Sequence, residues 1–133
     1  MARRCVSAAN MDRMKVRFAR HTDRLEEIVR FYRDGVGLRV LGGFHDHAGY
    51  DGVFLDLPGT GAHLEFTTGG GHSAPMPDAE TILVLYFDDE LERQRIAARL
   101  AGREVSPSNP YWRTNALAFA DPDGFHVLLA MEK

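Results

Sequence analysis

His63 and Glu65 are the residues whose types and spacing most clearly point to chemistry. They lie two apart in the otherwise apolar stretch AHLEF, residues 62–66. If this stretch is a β-strand, both side chains point to the same face of the sheet. Imidazole and carboxylate groups bind divalent metals, and they also transfer protons or hold hydrogen bonds in a metal-free pocket. The stretch therefore indicates a metal site, a metal-free pocket, or a polar edge of a sheet.

The elements of the first half would place this strand last of four. Asp23 and Glu26 have the spacing of a capping box, and LEEIVRFYRDGVG continues with apolar residues at i, i+3, i+4 and i+7, which is typical of an amphipathic helix. Turn signals separate short runs rich in apolar residues. The predicted strands of this half are 15–21, 38–42, 52–57 and 62–66.

The second half repeats the order of strand, helix and three strands. Asp88 and Asp89 begin a predicted helix that Gly102 ends, and Asp121 and Asp123 are interpreted as turn residues of DPDG. The predicted strands are 81–87, 104–106, 115–120 and 125–131. Gly37 to Gly102 spans 65 residues and Glu65 to Leu128 spans 63, a near-constant offset that indicates a duplicated module.

The predicted fold is α+β, with two βαβββ modules whose paired curved sheets surround a concave pocket and whose helices lie outside. We predict a flexible N-terminal extension at 1–13 and one domain at 14–133. That domain divides into module one at 14–68, a linker at 69–79 and module two at 80–133.

Composition excludes several classes of function. The net charge of −3, with acidic and basic residues mixed, argues against a nucleic-acid partner. The single cysteine cannot form an internal disulfide, and no apolar run is long enough to span a membrane. We expect a cytoplasmic protein without a membrane partner. The chain also lacks the nucleophile elbow, the P-loop and a dinucleotide-binding glycine motif.

Four stretches together resemble a known superfamily. They are FYRDGVGL, HLEF, RLAGREV and ADPDGFHVLL. With them, residues from about 16 to 129 resemble the vicinal oxygen chelate superfamily, which includes glyoxalase I, extradiol dioxygenases, fosfomycin-resistance enzymes and bleomycin-resistance proteins. NPYW further resembles a glyoxalase-like single-domain subgroup that has no assigned substrate. The resemblance implies a homodimer.

The resemblance also implies four metal-ligand positions, one on the first and one on the last strand of each module. They fall on Arg17, Glu65, Ile82 and Leu128. Because only Glu65 can coordinate a cation, we expect neither the superfamily's metal centre nor another cofactor. The alternative is a non-standard divalent metal site in which Glu65 joins His63, His126 or His21.

A pocket without metal would have an apolar floor and a few polar groups. The predicted inward residues are Arg17, Ala19, His21, His63, Glu65, Ile82, Val84, Tyr86, His126 and Leu128. Glu65 is expected to pair with Arg17 or His63, either to serve a ligand or to stabilise the sheet register.

Loops would complete this pocket. His47 and Tyr50 are placed at its mouth, and the run of His45, Asp46 and His47 is interpreted as a solvated turn or a weak metal trap. In the second half, Tyr111 and Trp112 form a pocket wall or a satellite core. Asn109 would orient a ligand through its amide.

The leading functional hypothesis is a small-molecule-binding protein of the glyoxalase/bleomycin-resistance type. The alternative is a lyase or isomerase of the same superfamily, with Glu65 as general base or as part of a non-standard metal site and His63 or Tyr86 as acid. A third hypothesis gives the predicted pocket residues a structural role only.

Overall fold

The first module folds as one four-stranded sheet covered by a helix. A computed structural model describes residues 14–132, so the predicted extension at 1–13 lies outside the described residues. The elements are β1 (Val16–His21), α1 (Leu25–Arg30), a π-helical turn (Phe31–Val36), β2 (Val40–His47), β3 (Tyr50–Leu57) and β4 (Ala62–Gly69). The strand order is β1-β4-β3-β2, with β1 parallel to β4 and the other pairs antiparallel.

The second module repeats this plan with one strand fewer. Its elements are β5 (Ile82–Phe87), α2 (Glu90–Arg99), α3 (Pro110–Asn115), β6 (Ala116–Ala120) and β7 (His126–Met131). The strand order is β5-β7-β6, with β5 parallel to β7. The predicted α+β class with two related modules is confirmed.

The strand predicted at 104–106 is wrong. Glu104 forms only an isolated bridge to Phe119. Two backbone hydrogen bonds flank this bridge: Val105 N–H donates to the Ala118 carbonyl, and Ala120 N–H donates to the Arg103 carbonyl. The next residue in register to donate would be Pro107, which has no N–H. The segment therefore cannot extend into a fourth strand of this sheet.

The N-terminal end of α1 differs from the predicted capping box. Neither Asp23 nor Glu26 caps the helix; instead the hydroxyl of buried Thr22 accepts a hydrogen bond from the Arg24 N–H at 3.0 Å. At the other end Gly37 adopts φ +93°, and the N–H groups of Gly37 and Leu38 both bond to the Tyr32 carbonyl. This left-handed glycine ends the π-helical turn.

A shared core lies between the helices and one face of each sheet. From the first module it takes Ile28, Phe31, Tyr32, Leu55, Leu64 and Phe66, and from the second Ile96, Leu100, Phe119, Val127 and Leu129. We call this the helix side of each sheet. No helix within residues 14–132 is long and apolar enough to cross a membrane.

A buried polar cluster centred on Asp121 joins the modules. Its Oδ2 accepts hydrogen bonds from Arg20 at 2.6 Å and from the Tyr32 hydroxyl at 2.7 Å. Its Oδ1 accepts from the N–H groups of Asp123 and Phe125, which closes the DPDG turn. Asp121 is thus the turn residue that was predicted and also the acceptor for two side chains of module one.

The environment of Tyr32 favours its neutral form. Burial raises the pKa of Tyr32 well above its ordinary value of 10.0, and the negative charge of Asp121 raises that pKa further. Above pH 10 the unfolded chain loses the Tyr32 proton while the folded chain keeps it. Stability is therefore lost as the pH rises from 10 towards the raised pKa.

We predict that Tyr32→Phe removes this alkaline loss, which amounts to at most about 1.4 kcal/mol per pH unit. At neutral pH the variant should be less stable by about 1.5–3 kcal/mol, because it lacks a hydrogen bond to a charged group. Urea unfolding at intervals between pH 7 and pH 11.5 measures both effects. Exposed Tyr86 provides the control variant Tyr86→Phe. If the free energy of unfolding fell equally with pH in the wild type and in Tyr32→Phe above pH 10, the prediction would be contradicted.

Candidate functional site

The register of β1 and β4 brings three predicted site residues to one face of the first sheet. Arg17 lies opposite His63 and Ala19 opposite Glu65 in the parallel pair. Phe54 of β3 lies opposite Glu65 on the other side. These residues, with His21 and Thr67, point away from the helix side because strand residues alternate between faces. We call this surface the Glu65 face.

Arg17 is the centre of the Glu65 face. Its Nε donates to His63 Nε2 at 3.0 Å, and its Nη1 lies 3.7 Å from Glu65 Oε1. Its guanidinium carbon lies 4.9 Å from the centre of the Phe54 ring, which is in cation–π range. The predicted pairing of Glu65 with Arg17 is present in this arrangement.

Exposure divides the roles within this ion pair. The Glu65 side chain is 12% exposed, whereas that of Arg17 is 53% exposed. The adjacent guanidinium supplies a charge partner for a carboxylate that is otherwise largely removed from water. Arg17 still presents N–H donors to solvent, because a guanidinium has five of them.

The hydrogen bond from Arg17 determines the proton position on His63. Arginine Nε always carries a proton, so His63 Nε2 must accept, and the neutral ring carries its own proton on Nδ1. The ring of His63 also contacts Phe54 edge-on, with centroids 5.6 Å apart. His63 thus offers a ligand a donor rather than a metal-binding lone pair at Nε2.

The residues do not fit the metal that the superfamily implies. Arg17, Ile82 and Leu128 have no donor for a cation, and both Glu65 and His63 are engaged by Arg17. Among residues 14–132, no three His, Cys, Asp or Glu side chains come together in a group that could hold a metal ion.

Phe54 is a site residue that the sequence interpretation missed. Strand alternation contained the signal: Leu55 is fully buried on the helix side, so Phe54 and Asp56 belong on the opposite face. The ring of Phe44 lies 5.9 Å from that of Phe54 and extends the apolar surface towards β2.

Three rings continue the Glu65 face towards the end of β1. His21 bonds through Nδ1 to the Thr67 hydroxyl at 2.9 Å, and its ring contacts Tyr50 and His72 at about 6 Å. Tyr50 and His72 also stack on each other. The Nε2 atom of His21 is buried without a hydrogen-bond partner among the described residues. Such an atom is costly unless a partner satisfies it.

The hairpin run differs from the predicted turn. His45, Asp46 and His47 belong to the end of β2, where the register with β3 shifts. His45 is paired with Asp51 at 2.8 Å, and the ring of His47 contacts Phe44. His47 and Tyr50, both predicted at the pocket mouth, therefore have different neighbours. The His47 ring contacts Phe44 near the end of β2, whereas the Tyr50 ring contacts His21.

The predicted inward residues of the second module also share one face. Ile82 lies opposite His126, and Val84 opposite Leu128, in the pairing of β5 with β7. Tyr86 follows on the same side, so we call this surface the Leu128 face. It is apolar except for Tyr86 and for His126, whose Nδ1 is buried without a partner among the described residues.

The described residues show no polar link between the two faces. Between residues 14 and 132, no hydrogen bond, ion pair or ring contact joins a strand residue of the Glu65 face to one of the Leu128 face. The modules instead meet on the helix side, through the Asp121 cluster and the shared core.

The loop predicted to hold Asn109, Tyr111 and Trp112 contains α3. The Asn109 side chain accepts a hydrogen bond from the Tyr111 N–H at 2.9 Å, so its oxygen caps this helix. Its amide nitrogen is the part left to bind a ligand. Tyr111 and Trp112 contact each other edge-on at 4.9 Å, and α3 packs against β6 and β7. The role of these rings as a pocket wall stays a prediction.

Comparison with known proteins identifies relatives of both modules. Residues 16–67 match the YycE-like N-terminal domain, and residues 80–131 match the YycE-like C-terminal domain. The chain is 40% identical over 123 residues to the uncharacterized protein YycE of Bacillus subtilis strain 168, covering 90% of this chain and 88% of that protein. The crystal structure of a B. subtilis YycE protein of unknown function has a TM-score of 0.82 and 40% identity, covering 90% of each chain.

More distant solved structures share the fold. The glyoxalase I of Leishmania major has a TM-score of 0.69 at 19% identity, covering 90% of this chain and 87% of that one. TnmS3, an antibiotic binding protein from a Streptomyces species, has a TM-score of 0.64 at 21% identity, covering 90% and 96%.

The geometry predicts the tautomer of His63. In ¹⁵N spectra of imidazole-labelled protein at mildly alkaline pH, the His63 ring should carry its proton on Nδ1. Arg17→Met should shift it towards the Nε2–H tautomer, because the donor to Nε2 is removed. Arg39→Met, which removes another exposed arginine of this module, is the matched control. An Nε2–H ring in the wild type would contradict the geometry.

Proposed function

The chain belongs to the YycE-like family of the vicinal oxygen chelate superfamily, and on that premise we propose that it binds a small organic molecule on the Glu65 face without a metal centre. The observation that carries the proposal is the position of Arg17. The family resemblance implies a metal-ligand position at Arg17, and the guanidinium there pairs with Glu65, the one potential ligand among the four implied positions.

The Arg17 group is suited to binding rather than to coordination. Its free N–H donors can bind an oxygen atom of a ligand, and Glu65 and the Nδ1–H of His63 supply an acceptor and a second donor nearby. The rings of Phe54 and Phe44 supply apolar surface for the rest of the molecule. A few polar groups on an apolar surface are the usual composition of a small-molecule site.

Two further observations support a ligand. The buried Nε2 of His21 and Nδ1 of His126 would both gain a partner from a bound polar molecule. The fold is also that of TnmS3, an antibiotic binding protein. Arg17 engages both Glu65 and His63, the two residues that would act as base and acid, so we propose binding in preference to a lyase or isomerase reaction.

The proposal includes a homodimer. Each chain leaves β1 and β5 at the edge of a sheet, and β1 carries exposed Val16 and Phe18. An exposed apolar edge strand is a template for pairing with another chain. Leu128 is fully buried within its own chain, whereas Tyr86 at the β5 margin of the Leu128 face is exposed. A second copy could thereby place that β5 margin against the Glu65 face of the first, which would enclose the Arg17 group.

Metal content and ligand binding test the proposed site together. We predict well below one equivalent of Ni, Zn, Fe or Mn in protein purified without chelator. In a thermal-shift screen of hydrophobic metabolites and antibiotics, at least one compound should raise the Tm. Glu65→Gln should weaken that binding about tenfold, since it removes a charged hydrogen-bond partner.

The control is Glu92→Gln on the outer helix α2, which should leave ligand binding unchanged. Near-stoichiometric metal that disappears in Glu65→Ala would overturn the metal-free site. A complete absence of stabilising compounds would favour the purely structural hypothesis.

Light scattering coupled to gel filtration tests the dimer. The wild type should have twice the mass of one chain, and Phe18→Lys should have the mass of one chain, because the charge cannot be buried against a second strand. Leu91→Lys, on a similarly exposed apolar residue of α2, should stay dimeric. A wild-type monomer at micromolar concentration would refute the dimer, but it would not contradict the contacts of Arg17 with His63 and Glu65.

A further inference from the structure

A groove on the helix side of the molecule is lined by arginines from both modules. It has a volume of about 390 Å³ and lies between the π-helical turn and the end of α2. Arg30 belongs to α1, Arg99 to α2, and Arg103 follows α2. A volume of this size is typical of a small-molecule site. We call it the arginine groove.

Uncharged groups hold two of these arginines in place. Arg99 donates from Nε to the Gly35 carbonyl at 2.8 Å, and the Arg103 guanidinium lies 5.6 Å from the centre of the Phe31 ring. In the described part of the chain, neither these two nor Arg30 forms an ion pair with a carboxylate. Most of their N–H donors are consequently open to a ligand.

The charge of the groove is positive despite two acidic residues in its lining. Asp34 is already paired with Arg33 through two hydrogen bonds of 2.8 and 3.1 Å, and that bond lowers the pKa of Asp34. Glu27 is then the one lining carboxylate without an ion pair among the described residues. Three guanidinium groups thus face a single unpaired negative charge.

Close contact between the modules builds the groove. A Cβ at Gly35 would meet the Leu100 side chain at 2.6 Å, and one at Gly37 would meet Arg99 Nη2 at 3.2 Å. The absence of side chains at these two positions lets the end of α2 approach the π-helical turn. That approach places Arg99 and Arg103 beside Arg30.

We propose that the arginine groove is a second binding site, which holds a small molecule by a phosphate group. A phosphate has a charge near −2 and several acceptor oxygens, so it can accept bonds from three planar guanidinium groups at once. A single carboxylate has half the charge and two oxygens. Because the arginines come from both modules, the bound phosphate bridges them and stabilises the native chain.

Calorimetric titration with inorganic phosphate tests the site. The wild type should bind phosphate saturably, and more tightly than acetate at equal ionic strength. Arg30→Gln and Arg103→Gln should each weaken phosphate binding about tenfold. Phosphate should raise the Tm of the wild type and do so less in both variants.

Arg95→Gln is the matched control, because Arg95 is exposed on the same helix as Arg99, outside the groove and without an ion pair among the described residues. It should bind phosphate as the wild type does, and so should Glu65→Gln. Circular dichroism verifies that each variant is folded. An equal rise in Tm for the wild type and both groove variants would attribute the effect to salt and overturn the proposal, as would equal affinity for acetate.

Discussion

The bond between Arg20 and Asp121 is the contact on which the arrangement of the molecule depends. It joins residues 101 positions apart, one at the end of β1 and one in the turn before β7. Asp121 is fully shielded and Arg20 nearly so. Removal of Arg20 would leave the buried Asp121 carboxylate without an ion-pair partner, and removal of Asp121 would leave Arg20 with only the longer contact to Asp123 at 3.6 Å. Either change should therefore be strongly destabilising. Tyr32 adds the third member from the helix side. This cluster, together with the shared core, sets the relative placement of the two sheets.

The same strand carries the anchor and the site. Arg20 points to the helix side and bonds to the second module, whereas Arg17 points to the opposite face and holds His63 and Glu65. β1 is bonded to a neighbouring strand on one side only. The position of Arg17 is therefore stabilised by the β1–β4 ladder together with the Arg20 anchor three residues later. A change at Asp121 would reach the Glu65 face through the backbone of β1 rather than through a direct contact.

Sequence reasoning succeeded where a local rule determines the outcome. The two-residue period of strands placed His63 and Glu65 on one face, and the constant offset between the halves indicated two modules. Arg17 was assigned to the same face by the ligand positions that the family resemblance implies. Sequence reasoning failed where a distant partner decides. No local feature of DPDG points to Arg20. The strand expected at 104–106 would have needed a backbone donor to β6 at residue 107, and that requirement becomes visible only when the pairing with β6 is known. Phe54 was within reach of the alternation rule, but its neighbour Arg17 lies on a strand far away in the sequence. The six-residue α3 is too short for periodicity to reveal.

The parallel pairing of β1 with β4 also constrains how the chain acquires its structure. The first strand of each module bonds to the last, with Val16 opposite Ala62 and Ile82 opposite His126. A ribosome must therefore complete most of a module before its first strand can enter a sheet, and until then the apolar side chains of that strand are available to wrong partners. The linkage at Asp121 forms only after the DPDG turn has emerged. Synthesis thus imposes an order on folding: module one can close upon β4 before β7, the final strand of module two, has been made.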